Sequence, residues 1–172
     1  MGKGIVEIKG LESFKGKQTL GSMDASGMKF AIVVSRFNDE LTHQLANSAA
    51  TCLTQNGAAL EDVEIIWVPG AYEIPSVLNV LASQKRFDAL IALGVVVEGE
   101  TPHAQMINDS TGIEILQIAS RYEVPVINEI VGTRNWEQAV ARCAGVEGTR
   151  GWYAAEAAIE TAALMRQVKG ES

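Results

Sequence analysis

Four short apolar runs alternate with stretches in which apolar residues recur at helical spacing. Phe30–Val34 is unbroken and β-branched, as expected of a strand buried on both faces. Ser35-Arg36-Phe37-Asn38-Asp39 ends it, with Asn38 or Asp39 as the cap of the next helix. Leu41, Leu45, Ala49 and Leu53 form that helix's stripe, and Gly57 stops it. Val63–Val68 reads as a second core strand running into Pro69-Gly70, a turn signal. A helix follows with Ile74, Val77, Leu78 and Leu81 inward. Ala89–Leu93 is the third strand and leads into Gly94-Val95-Val96-Val97-Glu98-Gly99-Glu100-Thr101-Pro102-His103. The helix from about His103 to Tyr122 carries Ile107, Ile113, Leu116, Ile118 and Ala119 on its apolar side, with Gly112 as a local weakness. Pro125–Val131 is the fourth strand, interrupted by Asn128 and Glu129, whose burial requires partners. Thr133 or Asn135 caps a short helix through Cys143, and the Gly145–Gly151 loop carries Arg150. The last helix, from Trp152 to about Val168, is alanine-rich and suited to close packing.

Strand–helix alternation with connections of this length predicts an α/β fold: a parallel sheet of about four strands with helices on both faces. In such sheets the ligand crevice lies at the strands' carboxyl ends. Four of these ends deliver Phe37, Ala71–Glu73, Val95–His103 and, on the last strand, Asn128. They offer an aromatic plate, backbone groups freed near glycines, a carboxylate, an imidazole and nearby arginines. A planar heterocycle bearing hydroxyls, together with a phosphorylated partner, suits that set. Arg142 and Arg150 are the candidate phosphate forks, or else solvated surface charges. Glu73 fits either a carboxylate favoured at a helix start or an acceptor of substrate hydroxyls. His103 suits proton transfer, since no cysteine or second histidine stands beside it as a nucleophilic partner. His43 reads as a surface or helix-packing residue.

The 172 residues suit one domain, and 47% apolar with 20% charged residues is an ordinary globular composition. The net charge of −7 argues against a nucleic-acid partner, whose binder is basic. The two cysteines, Cys52 and Cys143, have no metal or disulfide spacing and suggest reduced thiols in the cytoplasm. No signal peptide, membrane span, phosphate-binding loop or dinucleotide fingerprint is visible. Residues 1–28 are expected to be an arm and linker, with Ile5–Ile8 as a short alternating piece and Gly21–Gly27 as the flexible join.

Arg36-Phe37-Asn38, Val68-Pro69-Gly70-Ala71-Tyr72-Glu73-Ile74-Pro75, Leu93-Gly94 with Gly99-x-Thr101-x-His103, and Glu137-Gln138-Ala139 with Arg142 together resemble the 6,7-dimethyl-8-ribityllumazine synthases. The likeness runs from about Lys29 to Leu164. It implies a three-layer α-β-α sandwich of flavodoxin-like type, with residues 29–172 as the catalytic domain. The implied reaction is the penultimate step of riboflavin biosynthesis. A transferase condenses 5-amino-6-(D-ribitylamino)uracil with 3,4-dihydroxy-2-butanone 4-phosphate, giving the lumazine, phosphate and water.

The resemblance also assigns roles. Phe37 stacks the pyrimidine; Ala71, Tyr72 and Glu73 hold the ribitylaminouracil; Val95, Val96 and Val97 read its edge; Asn128 contacts it. Glu100 and Thr101 form the butanone-phosphate turn, Arg142 binds the phosphate from a neighbouring subunit, and Arg150 keeps a positive charge where lysine is common. His103 transfers protons. No metal or organic cofactor is implied. The implied assembly is a pentamer, with Ile5–Ile8 added as a strand to the neighbour's sheet. Some members stack into decamers and others form icosahedral 60-subunit shells around riboflavin synthase. The Gly145–Gly151 loop has no insertion against the shell-forming pattern. Glu98 stands where arginine is common, Asn128 where some members have phenylalanine, and Glu129 and Gly132 alter a Gly-Val-Leu-Thr-like segment. Glu98 is expected to point outward or to pair with an arginine. Glu98 and Glu129 are the support for an alternative, an inactive shell-forming or a lumazine- or flavin-binding homologue.

Overall fold

The computed structural model describes residues 15–170. Four strands, β1 (Phe30–Ser35), β2 (Val63–Val68), β3 (Ala89–Val97) and β4 (Val126–Thr133), form one parallel sheet in the order β2-β1-β3-β4. Helices α1 (Asp39–Gln55), α4 (Trp136–Cys143) and α5 (Arg150–Lys169) cover one face. Helices α2 (Ile74–Ser83) and α3 (His103–Tyr122) cover the other. The period-two alternation of strand side chains divides the core accordingly. Phe30, Ile32, Val34, Ile91 and Leu93 face α1 and α5, while Ala31, Val33, Leu90 and Ala92 face α2 and α3. This is the expected α-β-α sandwich.

Several local expectations are revised. β2 is an edge strand rather than a core strand, with Ile65 and Trp67 partly open to solvent. The His43 ring stacks on Trp67 with centroids 4.5 Å apart. In α3 the inward stripe is Ala104, Thr111, Ile115 and Ile118, whereas Ile113 and Leu116 point outward with Met106. Ile107 and Ile118 of the expected stripe do face the core, but the apolar residues of this helix cover more than one face, so Ile113 and Leu116 were assigned to the wrong one. Residues 21–28 are no loose join. Ala25 and Met28 are buried in the α1/α5 core, and a side chain at Gly21 would strike the Glu160 carbonyl. Ile5–Ile8 lies outside the described residues. Both cysteines are buried and free, and burial pushes the Cys52 thiol up to about 12 and the Cys143 thiol up to about 11. Neither is therefore a ready nucleophile at neutral pH.

Candidate active site

β1 leads to β2 on one side, and β3 leads to β4 on the other. The sheet's topological switch therefore falls between β1 and β3. β1 pairs with β3 only as far as Val34 and Leu93. β3 continues through Gly94 to Val97, paired on its other side with Ile130 to Thr133. Gly94 is thus no turn. It is a close-approach point inside a strand, where a Cβ would sit 3.2 Å from the Ser35 hydroxyl and 3.5 Å from the Ala71 methyl. Beyond Leu93 the β1-side edge of β3 has no sheet partner. It forms one wall of a crevice of about 550 Å³.

The crevice brings together most of the predicted residues. Phe37, 70% exposed, presents its ring from the end of β1. Its backbone is fixed by Arg36 N–H to Val68 O at 2.8 Å and Phe37 N–H to Pro69 O at 3.2 Å, which tie the loop to the end of β2. A single 3-10 turn after β2 supplies Ala71, Tyr72 and Glu73. The Glu73 side chain makes no capping hydrogen bond at the start of α2, so its carboxylate is left for another use. Val95, Val96 and Val97 form the β3 wall, and the following turn adds Gly99, Thr101 and His103. His103 is the first residue of α3, exposed, with its imidazole on the crevice.

The remaining predicted residues lie elsewhere on the protomer. Glu100 is exposed in the turn but absent from the crevice wall, as is Glu98, which forms no ion pair among the described residues. Asn128 sits on the exposed edge of β4, five residues before the strand's end. Its Oδ1 accepts from Ile130 N–H at 3.1 Å. Arg142 is exposed on the last turn of α4, and its Nη1 donates to the Gln138 carbonyl at 2.9 Å. Arg150 is not in a loop. It opens α5, which begins two residues earlier than expected because Thr149 accepts a capping bond from Trp152 N–H. The guanidinium of Arg150 is bound to Glu129, the partner that this interrupting carboxylate required. Burial holds the Glu129 carboxyl above its ordinary range, and the Arg150 contact offsets only part of that rise. Among the described residues no cluster of histidine, cysteine and carboxylate groups could hold a metal. Among the described residues no helix is long and apolar enough to cross a membrane.

One candidate cap, Asn38, has a role at the site that the sequence did not show. Asn38 precedes α1, but its side chain does not cap it. The residue adopts a left-handed φ of 60°, and its Nδ2 donates to the Val95 carbonyl at 2.8 Å. It thereby braces the end of β1 against the unpaired edge of β3. Asparagine tolerates this backbone region better than most residues. Asn38→Ala is expected to cost about 2 kcal/mol, combining the left-handed backbone penalty with a lost hydrogen bond. Asn38→Gly, which keeps the backbone at ease, should cost about half as much. Denaturant unfolding of the two variants checks this. Equal losses would show that backbone conformation contributes nothing.

The fold and crevice define a doubly wound α/β protein whose ligand site is assembled from strand carboxyl ends at the switch point. The family model for 6,7-dimethyl-8-ribityllumazine synthase matches residues 27–166. A 6,7-dimethyl-8-ribityllumazine synthase of Clostridium kluyveri is 38% identical over 149 residues, covering 87% of this chain and 97% of the relative. One of Chlorobaculum tepidum is 39% identical over 148 residues, covering 86% and 96%. The chain belongs to the 6,7-dimethyl-8-ribityllumazine synthase family.

Proposed function

We propose that this protein condenses 5-amino-6-(D-ribitylamino)uracil with 3,4-dihydroxy-2-butanone 4-phosphate in the crevice between β1 and β3. The observation that carries the reading is the meeting of an aromatic ring, an exposed carboxylate not used as a helix cap, an open strand edge and an imidazole in one crevice of a lumazine-synthase family member. The uracil stacks on Phe37, with its edge on the backbone of Val95–Val97 and its ribityl hydroxyls toward Glu73. The phosphate ester lies at the turn of Glu100 and Thr101. The amine and the ketone are already reactive partners, so holding them in register supplies much of the rate. His103 moves protons as the amine adds to the carbonyl, as phosphate leaves and as the second ring closes.

Arg142 and Asn128 lie outside the crevice of their own protomer. We place them in the crevice of an adjacent subunit of a homo-oligomer, with a pentamer as the smallest unit. Two surfaces support association. Met106, Ile113 and Leu116 leave an outward apolar stripe on α3. β2 presents an open sheet edge, the surface we assign to the Ile5–Ile8 strand of a neighbour. The buried, unpaired thiols suit a reducing cytoplasm.

Purified protein given both substrates is expected to release phosphate and form a fluorescent lumazine. Tight lumazine binding with no turnover would reject the enzyme in favour of a binding protein. The native particle mass tests the assembly, and a monomer would leave the crevice without its arginine.

A further inference from the structure

Glu129 and Arg150 form a two-toothed ion pair for which the reaction scheme has no use. Arg150 reaches from the start of α5 to β4. Its Nε donates to Glu129 Oε2 at 2.8 Å and its Nη2 to Oε1 at 2.7 Å. That fills the side-on edge of the guanidinium. The end-on edge, which carries Nη1, makes no hydrogen bond among the described residues. The glutamate side chain is only 12% exposed, the least of any carboxylate in the ion pairs of the described residues, while the arginine keeps 48%. The carboxylate is therefore a fixed post, and the cation is held on it in one orientation with an edge to spare. Arg142 stands eight residues before Arg150, in the last turn of α4, and α4 packs against both β4 and α5, the two elements that the ion pair joins.

We propose that Glu129 is a positioning residue for the phosphate-bearing substrate: it fixes Arg150 beside Arg142 with the free edge of its guanidinium turned outward, so that two cationic forks meet the phosphoryl group. This rests on the reading that the Arg142 face serves the phosphate. An untethered arginine must give up side-chain freedom when it binds an anion, and a tethered one has already lost it. A planar fork accepts such sharing, one edge to a carboxylate and the other to phosphate, where a point-like ammonium would not.

The test is steady-state kinetics of the full-length oligomer carrying Glu129→Gln, which keeps the shape and removes the charge. The KM for the butanone phosphate and the inhibition constant of inorganic phosphate are both expected to rise about five- to tenfold, the worth of one ordered side chain. The KM for the ribitylaminouracil should stay put, which a general structural defect would not allow. Arg150→Ala should give the same rise, and combining the two substitutions should add nothing further. Unchanged or tighter phosphate binding in Glu129→Gln, or equal damage to both substrates, overturns the positioning role. If Arg142→Ala still raises the phosphate KM in that case, the phosphate face stands and only the role of Glu129 fails. If neither substitution affects phosphate, the face itself is misassigned.

Discussion

Arg142→Ala is expected to raise the KM for 3,4-dihydroxy-2-butanone 4-phosphate by roughly 10- to 150-fold if the proposed phosphate contact is made, because a hydrogen bond to a charged group contributes about 1.5–3 kcal/mol. The fold should not suffer. Arg142 is exposed, and its one hydrogen bond among the described residues runs a single helical turn back to the Gln138 carbonyl. Exposed positions of this kind shift stability by about 0.5 kcal/mol or less. The loss should fall on one substrate. In the proposed arrangement Phe37, Glu73 and the β3 edge hold the pyrimidine, and the crevice they line does not include Arg142 of the same protomer. Arg142→Lys should recover part of the loss, since it restores the charge without the planar fork that matches phosphate. Initial rates with each substrate varied in turn, alongside thermal unfolding, provide the check. A phosphate KM equal to that of the wild type would remove Arg142 from the site.

Gly151→Ala is expected to destabilise the protein by on the order of 3 kcal/mol, at the upper end for overpacking a close contact. α5 crosses α1 at this glycine. A Cβ there would lie 2.3 Å from the Leu45 carbonyl oxygen and 3.0 Å from the carbon atoms behind it. The obstacle is backbone, so no rotamer change relieves it, and the helices must part. Parting them loosens Ala154, Ala155, Ala158 and Ala162 against the Leu45, Ala46 and Ala49 side of α1, a contact whose value lies in its closeness. The Ser48 hydroxyl, 2.7 Å from that of Thr149, pins the helices just beside the crossing and limits any slide. For a domain of this size the midpoint of thermal unfolding should fall by roughly 6–12 °C. A shift below a degree would show that the helix pair can move apart freely.

How far the sequence could be read depended on whether a feature is local. The strands β1 and β3 were legible because each begins as an unbroken apolar run, a signature that burial on both faces imposes, although β3 continues four residues past the expected end at Leu93 to Val97. The cap of α4 was legible to within two candidates, Thr133 or Asn135, because capping spans three residues, and it is Asn135 that accepts from Gln138 N–H. Phe37, Glu73 and His103 were placed at strand ends by the same local logic, and all three reach one crevice. β2 was not legible as an edge strand, because an apolar hexapeptide looks the same whether one neighbour or two lie beside it. The α3 stripe was placed only in part, Ile107 and Ile118 inward as expected but Ile113 and Leu116 outward, because apolar residues cover more than one face of that helix. Only packing against β4 and α2 decides which face is buried. Asn38, one of two candidate caps, does hold the cap position of α1, but its side-chain amide bonds a carbonyl 57 residues away in place of the helix end.

By itself the sequence determined the alternation of strands and helices and the chemistry carried at each strand's end, since periodicity and side-chain type act within a few residues. The tertiary structure alone decided that β1 lies beside β3, which opens the crevice, and that Glu129 holds Arg150 across 21 residues. Both depend on which distant segments become neighbours. That choice is made by the packing of the whole core, and no short window of sequence contains it.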